Sequence, residues 1–130
     1  CIFCKIIKGE IPAFKIYESE NVIAILDANP VNPGHILLMP KDHYQSLELL
    51  PSALWTELAL VFPEIGRKIK EKLGVEGYNI FENNGQVAGQ VIPHLHFHFV
   101  PRRADDGLHH WAGKKYAAGE AEALQVLLTQ

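Results

Sequence analysis

Cysteine is scarce in this chain. Cys1 and Cys4 are the only two, set as Cys-x-x-Cys, which excludes the multi-disulfide scaffold of small secreted domains. Positive charge is not in excess either. Twelve Lys and Arg against fifteen Asp and Glu leave a formal net charge of −3, so no global basic field is available to hold nucleic acid. No apolar run approaches the ~20 residues of a membrane span. The opening Cys1-Ile2-Phe3-Cys4-Lys5 also lacks the basic start and long apolar stretch of a signal peptide. A cytoplasmic protein that engages neither nucleic acid nor membrane is the expectation. The first residue is not methionine, which leaves room for native residues ahead of it. Internal repeats and low-complexity linkers are absent, and apolar residues make up 48%. The 130 residues are therefore expected to fold as a single domain, 1–130, with a real core.

What the chain does have is a run of alternating histidines, His94-Leu95-His96-Phe97-His98-Phe99-Val100. A period of two predicts a strand over 94–100, with Leu95, Phe97 and Phe99 in the core and three imidazoles on the opposite face. Same-face neighbours on a strand lie roughly 7 Å apart, and three imidazoles in a row make a poor structural surface. Each ordinarily titrates at about pH 6.5, so each takes or gives a proton near neutrality, and imidazole also serves as a nucleophile or a metal ligand. This stretch is the candidate site. A catalytic zinc held jointly by all three is disfavoured by reach, because the first and last stand about 13 Å apart.

The remainder reads as a mixed fold. Residues 1–9 form a short helix or turn with a glycine stop. Strands are predicted over 15–18, 22–26, 36–40 and 77–82, the first two as a hairpin. Leu54, Leu58, Phe62, Ile65, Ile69 and Leu73 form the apolar stripe of a main helix over 51–73, with Gly74 as its stop and a kink expected at Pro63. A terminal helix suits 118–128. Taken singly, several residues keep two readings. Cys-x-x-Cys is half a zinc site, an accident, or (weakly, with no βαβ unit after it) a redox pair. Asp27 caps the following turn or accepts ligand hydroxyls. His35 and His43 alone read as surface or core histidines. The loop 83–90, with two glycines and four side-chain amides, is a polar hairpin or a ligand loop. Trp111 belongs to a leaving-group pocket or covers the core, the core being preferred, while His109 and His110 read as exposed.

Taken together, these segments resemble one family. His94 through Val100 matches the motif His-φ-His-φ-His-φ-φ (φ apolar) of the histidine triad, or HIT, superfamily. The agreement extends to Cys1 through Ile7, Glu10-Ile11-Pro12-Ala13, Leu26-Asp27, Pro33-Gly34-His35, Pro40-Lys41-Asp42-His43 and Ala88-Gly89-Gln90, and is strongest over 1–103. The resemblance implies an α+β fold: an antiparallel sheet of about five strands with one main helix and short terminal helices, paired into a homodimer. It also implies a nucleotide ligand, purine by preference, and hydrolysis or transfer at the α-phosphorus. His96 would be the nucleophile that becomes nucleotidylated, with His98 and His35 as donors to the phosphate oxygens. Gln90 would lie near the leaving-group oxygen, Asn83 beside phosphate and ribose, and Asp27 at the ribose hydroxyls. Val91 stands where several relatives carry a phosphate-touching Ser or Thr. In the zinc-bearing branch, Cys1, Cys4, His43 and His94 would close a four-coordinate structural Zn2+ site, and no organic cofactor is implied. The substrates implied are nucleoside phosphoramidates or dinucleoside polyphosphates. The alternatives are a nucleotide-binding protein with little turnover and, less favoured, the catalytic zinc enzyme above.

Overall fold

The computed structural model describes residues 1–130. In chain order the elements are α1 (Ile2–Ile7), β1 (Lys15–Glu18), β2 (Val22–Leu26), β3 (Ile36–Pro40), α2 (Ser52–Leu73), β4 (Gly77–Glu82), β5 (Phe97–Arg102) and α3 (Glu120–Leu128). The strands form one sheet in the order β1-β2-β3-β5-β4, antiparallel at every pairing. This is the α+β architecture, with one antiparallel sheet of five strands, that the family resemblance implies.

Both faces of the sheet centre are covered. Val22, Ala24, Ile36, Leu38, Phe97 and Phe99 pack against Leu58, Val61, Ile65 and Ile69 of α2. On the other face Ile23, Ile25, Leu37 and Met39 pack with Phe3 of α1. Double coverage explains why β2 and β3 are unbroken apolar runs, since each successive side chain has its own cover. His98 pairs in register with Leu37. Directly opposed residues share a face, so His98 lies on the α1 side while Phe97 and Phe99 fill the α2 side.

The histidine run differs from expectation in one respect. The strand begins at Phe97, not His94. Pro93 has no N–H to offer a ladder, and the Leu95 N–H is taken by the Tyr44 carbonyl at 2.6 Å, in the loop after β3. The alternation of faces nevertheless continues through the irregular segment, because Leu95 stays in the α2-side core. Helix α2 runs from Ser52 to Leu73 without ending at Pro63. Pro51 sits at its N-cap, and Gly74 stops it in the left-handed conformation at φ +64°. A Cβ on Gly34, at φ +91°, would run into the Leu73 side chain, so glycine is required where the chain turns into β3.

The C-terminal segment overturns one expectation. Every residue from Gly107 to Gln130 is exposed, and Trp111 at 95% exposure covers no core. The indole instead forms part of a groove along β4 with Ile80, Phe81 and Leu108. No helix is long and apolar enough to cross a membrane.

Candidate active site and metal centre

Two clusters of side chains meet at the start of β5, one on each side of His96. The first joins Cys1, Cys4, His43 and His94, whose ligand atoms all lie within 4.8 Å of one another. Cys1 Sγ and Cys4 Sγ are each 3.7 Å from His94 Nδ1, and Cys4 Sγ is 3.4 Å from His43 Nδ1. Bonds of about 2.3 Å to sulfur and 2.0–2.1 Å to nitrogen give S···N edges of about 3.6 Å in a tetrahedron. The donor set therefore fits a four-coordinate zinc with no open position. The His94 ring is prepared for that role: its Nε2–H donates to the Pro40 carbonyl at 2.8 Å, which fixes the tautomer and leaves the Nδ1 lone pair for the cluster.

His96 is held in the complementary way. Its Nδ1–H donates to the carbonyl of His94 at 2.7 Å, so the lone pair is on Nε2. No protein group takes that atom. Glu82 Oε1 is the one buried side-chain polar atom without a partner, so His96 Nε2 opens into the neighbouring cleft. Phe3 packs edge-on against the ring at 5.0 Å. Burial lowers the pKa of His96, opposed by its bond to the His94 carbonyl, which favours the neutral, nucleophilic form.

His35 and His98 form the second cluster, and their partners assign the proton positions. The Val31 N–H donates to His35 Nδ1 at 3.1 Å, so the proton of a neutral His35 is on Nε2. That N–H donates in turn to His98 Nδ1, 2.9 Å away, which places the His98 proton on Nε2. The relay ends in a single uncommitted donor, His98 Nε2–H. His35 thus acts through His98, both of its ring nitrogens being engaged inside the protein. Asp27 Oδ2 is 3.7 Å from His35 Nε2. Although Asp27, His35 and His98 are close enough for a cation, the relay leaves no ring lone pair there to bind one. Phe81 stacks on His98 at 4.5 Å with an 11° interplanar angle. Burial, followed by the nearby His96 and His35, lowers the His98 pKa to about 4.

His96 and His98 open onto a cleft of about 820 Å³, within the size range of small-molecule sites. Asp27, Asn83 and Val91 line it as well. The Asp27 carboxylate also accepts from the Asn29 N–H at 2.8 Å, so the residue caps its turn and faces the cleft at once. Gln90 is placed differently from the expectation. It does not line the cleft, and its amide is spent on the loop, accepting from Gly85 N–H at 2.8 Å and donating to the Gln45 carbonyl at 2.7 Å. The apolar walls supplied by Phe3, Ile6, Phe14, Ile25 and Ile92 were not legible as site residues, because each reads locally as ordinary core or linker. No Lys or Arg lines the cleft, so an anion there would be held by N–H donors and neutral imidazole.

The family model "HIT domain" matches residues 8–105. The chain belongs to the HIT family. An uncharacterized HIT-like protein of Methanocaldococcus jannaschii is 50% identical over 109 residues, 82% of each chain. An adenylylsulfatase of Arabidopsis thaliana is 43% identical over 88% of this chain and 57% of its own. An adenosine 5′-monophosphoramidase of Candida albicans is 39% identical over 79% of this chain and 70% of its own. Among solved structures, a HIT family member from Bacillus subtilis superposes with TM-score 0.92 at 34% identity, over 99% of this chain and 94% of that one. A zinc-bound histidine triad protein from Mycobacterium smegmatis does so with TM-score 0.78 at 36% identity, over 100% and 97%.

The displaced titration of His98 has a consequence for this HIT chain. A base with a pKa of 6.5 unfolded and about 4 folded binds more protons in the unfolded state between those values. Its contribution to stability is therefore complete above pH 6.5 and is lost as pH falls toward 4. Denaturant titrations across that window are expected to show a shallower fall in unfolding free energy for His98→Asn than for wild type. Parallel slopes would place the proton uptake elsewhere.

Proposed function

We propose that the protein is a nucleotide hydrolase or nucleotidyl transferase that acts at the α-phosphorus of purine nucleoside phosphoramidates or dinucleoside polyphosphates, through a covalent nucleotidyl-His96. The observation that carries this is the pairing of a neutral His96, its lone pair held on Nε2 by the His94 carbonyl, with a donor relay that ends at His98. His96 Nε2 attacks phosphorus and the bond to the leaving group breaks, the leaving group taking the bonding pair: a phosphate or sulfate departs as the anion, and an amine departs after taking a proton from solvent in the cleft. The ring, now substituted at Nε2 and still protonated at Nδ1, carries a positive charge that the His94 carbonyl stabilises across the same 2.7 Å bond. His98 Nε2–H donates to the phosphoryl oxygen as charge develops, a neutral donor in a buried setting where such bonds are strong. Water then attacks phosphorus, the P–N bond to His96 breaks with its electron pair returning to Nε2, the proton lost by the water passes to solvent, and the free imidazole returns. In this reading Asp27 accepts the ribose hydroxyls and Asn83 contacts the phosphate side. Gln90 sets the loop that carries Val91.

The relatives support the adenylyl half of the substrate. One is named for an AMP amide and another for an adenylyl sulfate, two leaving groups on a shared nucleotide. A panel of adenosine 5′-phosphoramidate, adenylyl sulfate and diadenosine polyphosphates is expected to give turnover on at least one class, with His96→Asn at least 10³-fold slower. Full activity in that variant would remove the nucleophile.

Zinc in the Cys1–Cys4–His43–His94 site is proposed as a structural ion that ties α1 and the turn after β3 to the residues preceding β5. Elemental analysis is expected to find one zinc per chain and far less in Cys4→Ser, and chelation is expected to lower the melting temperature of wild type. A chelator-treated chain with an unchanged melting temperature, zinc-free from the start, would refute the site.

A homodimer completes the proposal. Strand β4 is a sheet edge whose Ile80 and Phe81 are 40% and 37% exposed, and uncovered apolar edges of this kind favour pairing. Helix α3 buries none of its residues against its own chain. Light scattering at micromolar concentration is expected to give twice the 14.6 kDa chain mass, and Ile80→Lys to give the monomer. A monomeric wild type would end the idea.

A further inference from the structure

The short helix α1 belongs to both sites. Cys1 at its N-cap and Cys4 within it supply half of the metal-fitting donor set, while Ile2, Phe3 and Ile6 form a wall of the cleft. Phe3 joins the two directly. It is 4% exposed, and its ring meets His94 at 5.9 Å and His96 at 5.0 Å, edge-on to each. A helix of six residues does not hold in water by itself, and α1 has no side-chain cap at its N-terminus. Its seat depends on what its side chains are tied to. A second link runs through His94, whose imidazole belongs to the donor set while its carbonyl orients His96.

We propose that zinc in the Cys1–Cys4–His43–His94 centre and nucleotide in the cleft are thermodynamically coupled through α1, each tightening the other. The proposal rests on the readings of the cluster as a zinc centre and the cleft as a nucleotide site. Without the ion, two thiols no longer hold α1, and Phe3 is free to leave the His96 ring and take a wall of the cleft with it. Nucleotide packed against that wall holds α1 where its thiols meet His43 and His94. Reciprocity is required: the factor by which zinc tightens nucleotide is the factor by which nucleotide tightens zinc. Coupling between sites is typically 5- to 150-fold, and a factor on the order of ten is expected here.

Two titrations test it on the full chain. The first compares AMP affinity, by calorimetry, for zinc-loaded and chelator-stripped protein. The second measures Zn2+ affinity against a chromogenic chelator with and without saturating AMP, and reads the coupling even if the stripped chain unfolds. Both ratios are expected near tenfold in wild type. Phe3→Ala, which keeps all four metal donors and all of the imidazoles, is expected to lower both ratios together while still binding zinc, leaving only the part carried through His94. Equal Zn2+ affinities with and without AMP in wild type would overturn the coupling and leave both sites standing. A zinc-loaded chain that binds no AMP, or a chain that binds no zinc, would overturn the coupling together with the reading of that site. A ratio unchanged in Phe3→Ala would overturn the route through α1.

Discussion

The hydrogen bond from His96 Nδ1–H to the carbonyl of His94 is the constraint on which the site depends. It assigns the tautomer, aims the free lone pair into the cleft, and supplies the partner for any positive charge that forms on the ring. The carbonyl can do this because the rest of His94 is immobilised. The residue is fully buried, its Nε2–H bound to the Pro40 carbonyl and its Nδ1 set among two sulfurs. One residue thus serves two roles, with its side chain in the metal-fitting cluster and its backbone behind the His96 ring. The irregular start of β5 follows from this. A regular strand from His94 onward would engage that carbonyl in the ladder, and it would no longer be available to His96.

Neutral imidazole is the second theme. Burial lowers the pKa values of His35, His94, His96 and His98, and no Lys or Arg lines the cleft. A site of this kind meets a phosphate with directed N–H groups in place of charge. The net charge of −3 is no obstacle to such a ligand, because the recognition is local.

Much of this was legible in the residues. The period of two in 94–100 placed the imidazoles on one face, and the spacing of Leu58, Ile65 and Ile69 marked α2 as an amphipathic helix, whose seat on the Phe97 and Phe99 face only the fold shows. What lay beyond reach depended on register. His35 and His98 are 63 positions apart and meet only because Ile36 pairs with Phe99 and Leu37 with His98. That pairing turns His35 from a direct donor into the residue behind one. Gln90 looked like a ligand-facing amide because nothing local shows that Gln45, brought close by the fold, supplies an acceptor for it. Trp111 looked like core because aromatic residues usually are, yet it lies beyond the last buried position of the chain. Phe3 carries no local sign of its place in the fold, where its ring meets those of His94 and His96.

The measurement that bears most directly on a covalent nucleotidyl-His96 is the stereochemical course at phosphorus. An adenosine 5′-phosphorothioate substrate of known configuration at the α-phosphorus would be hydrolysed in isotopically labelled water and the configuration of the product assigned. Two successive in-line displacements, the first by His96 Nε2 and the second by water, predict net retention. Net inversion would mean that water attacks phosphorus directly, and the account of His96 as nucleophile would be wrong.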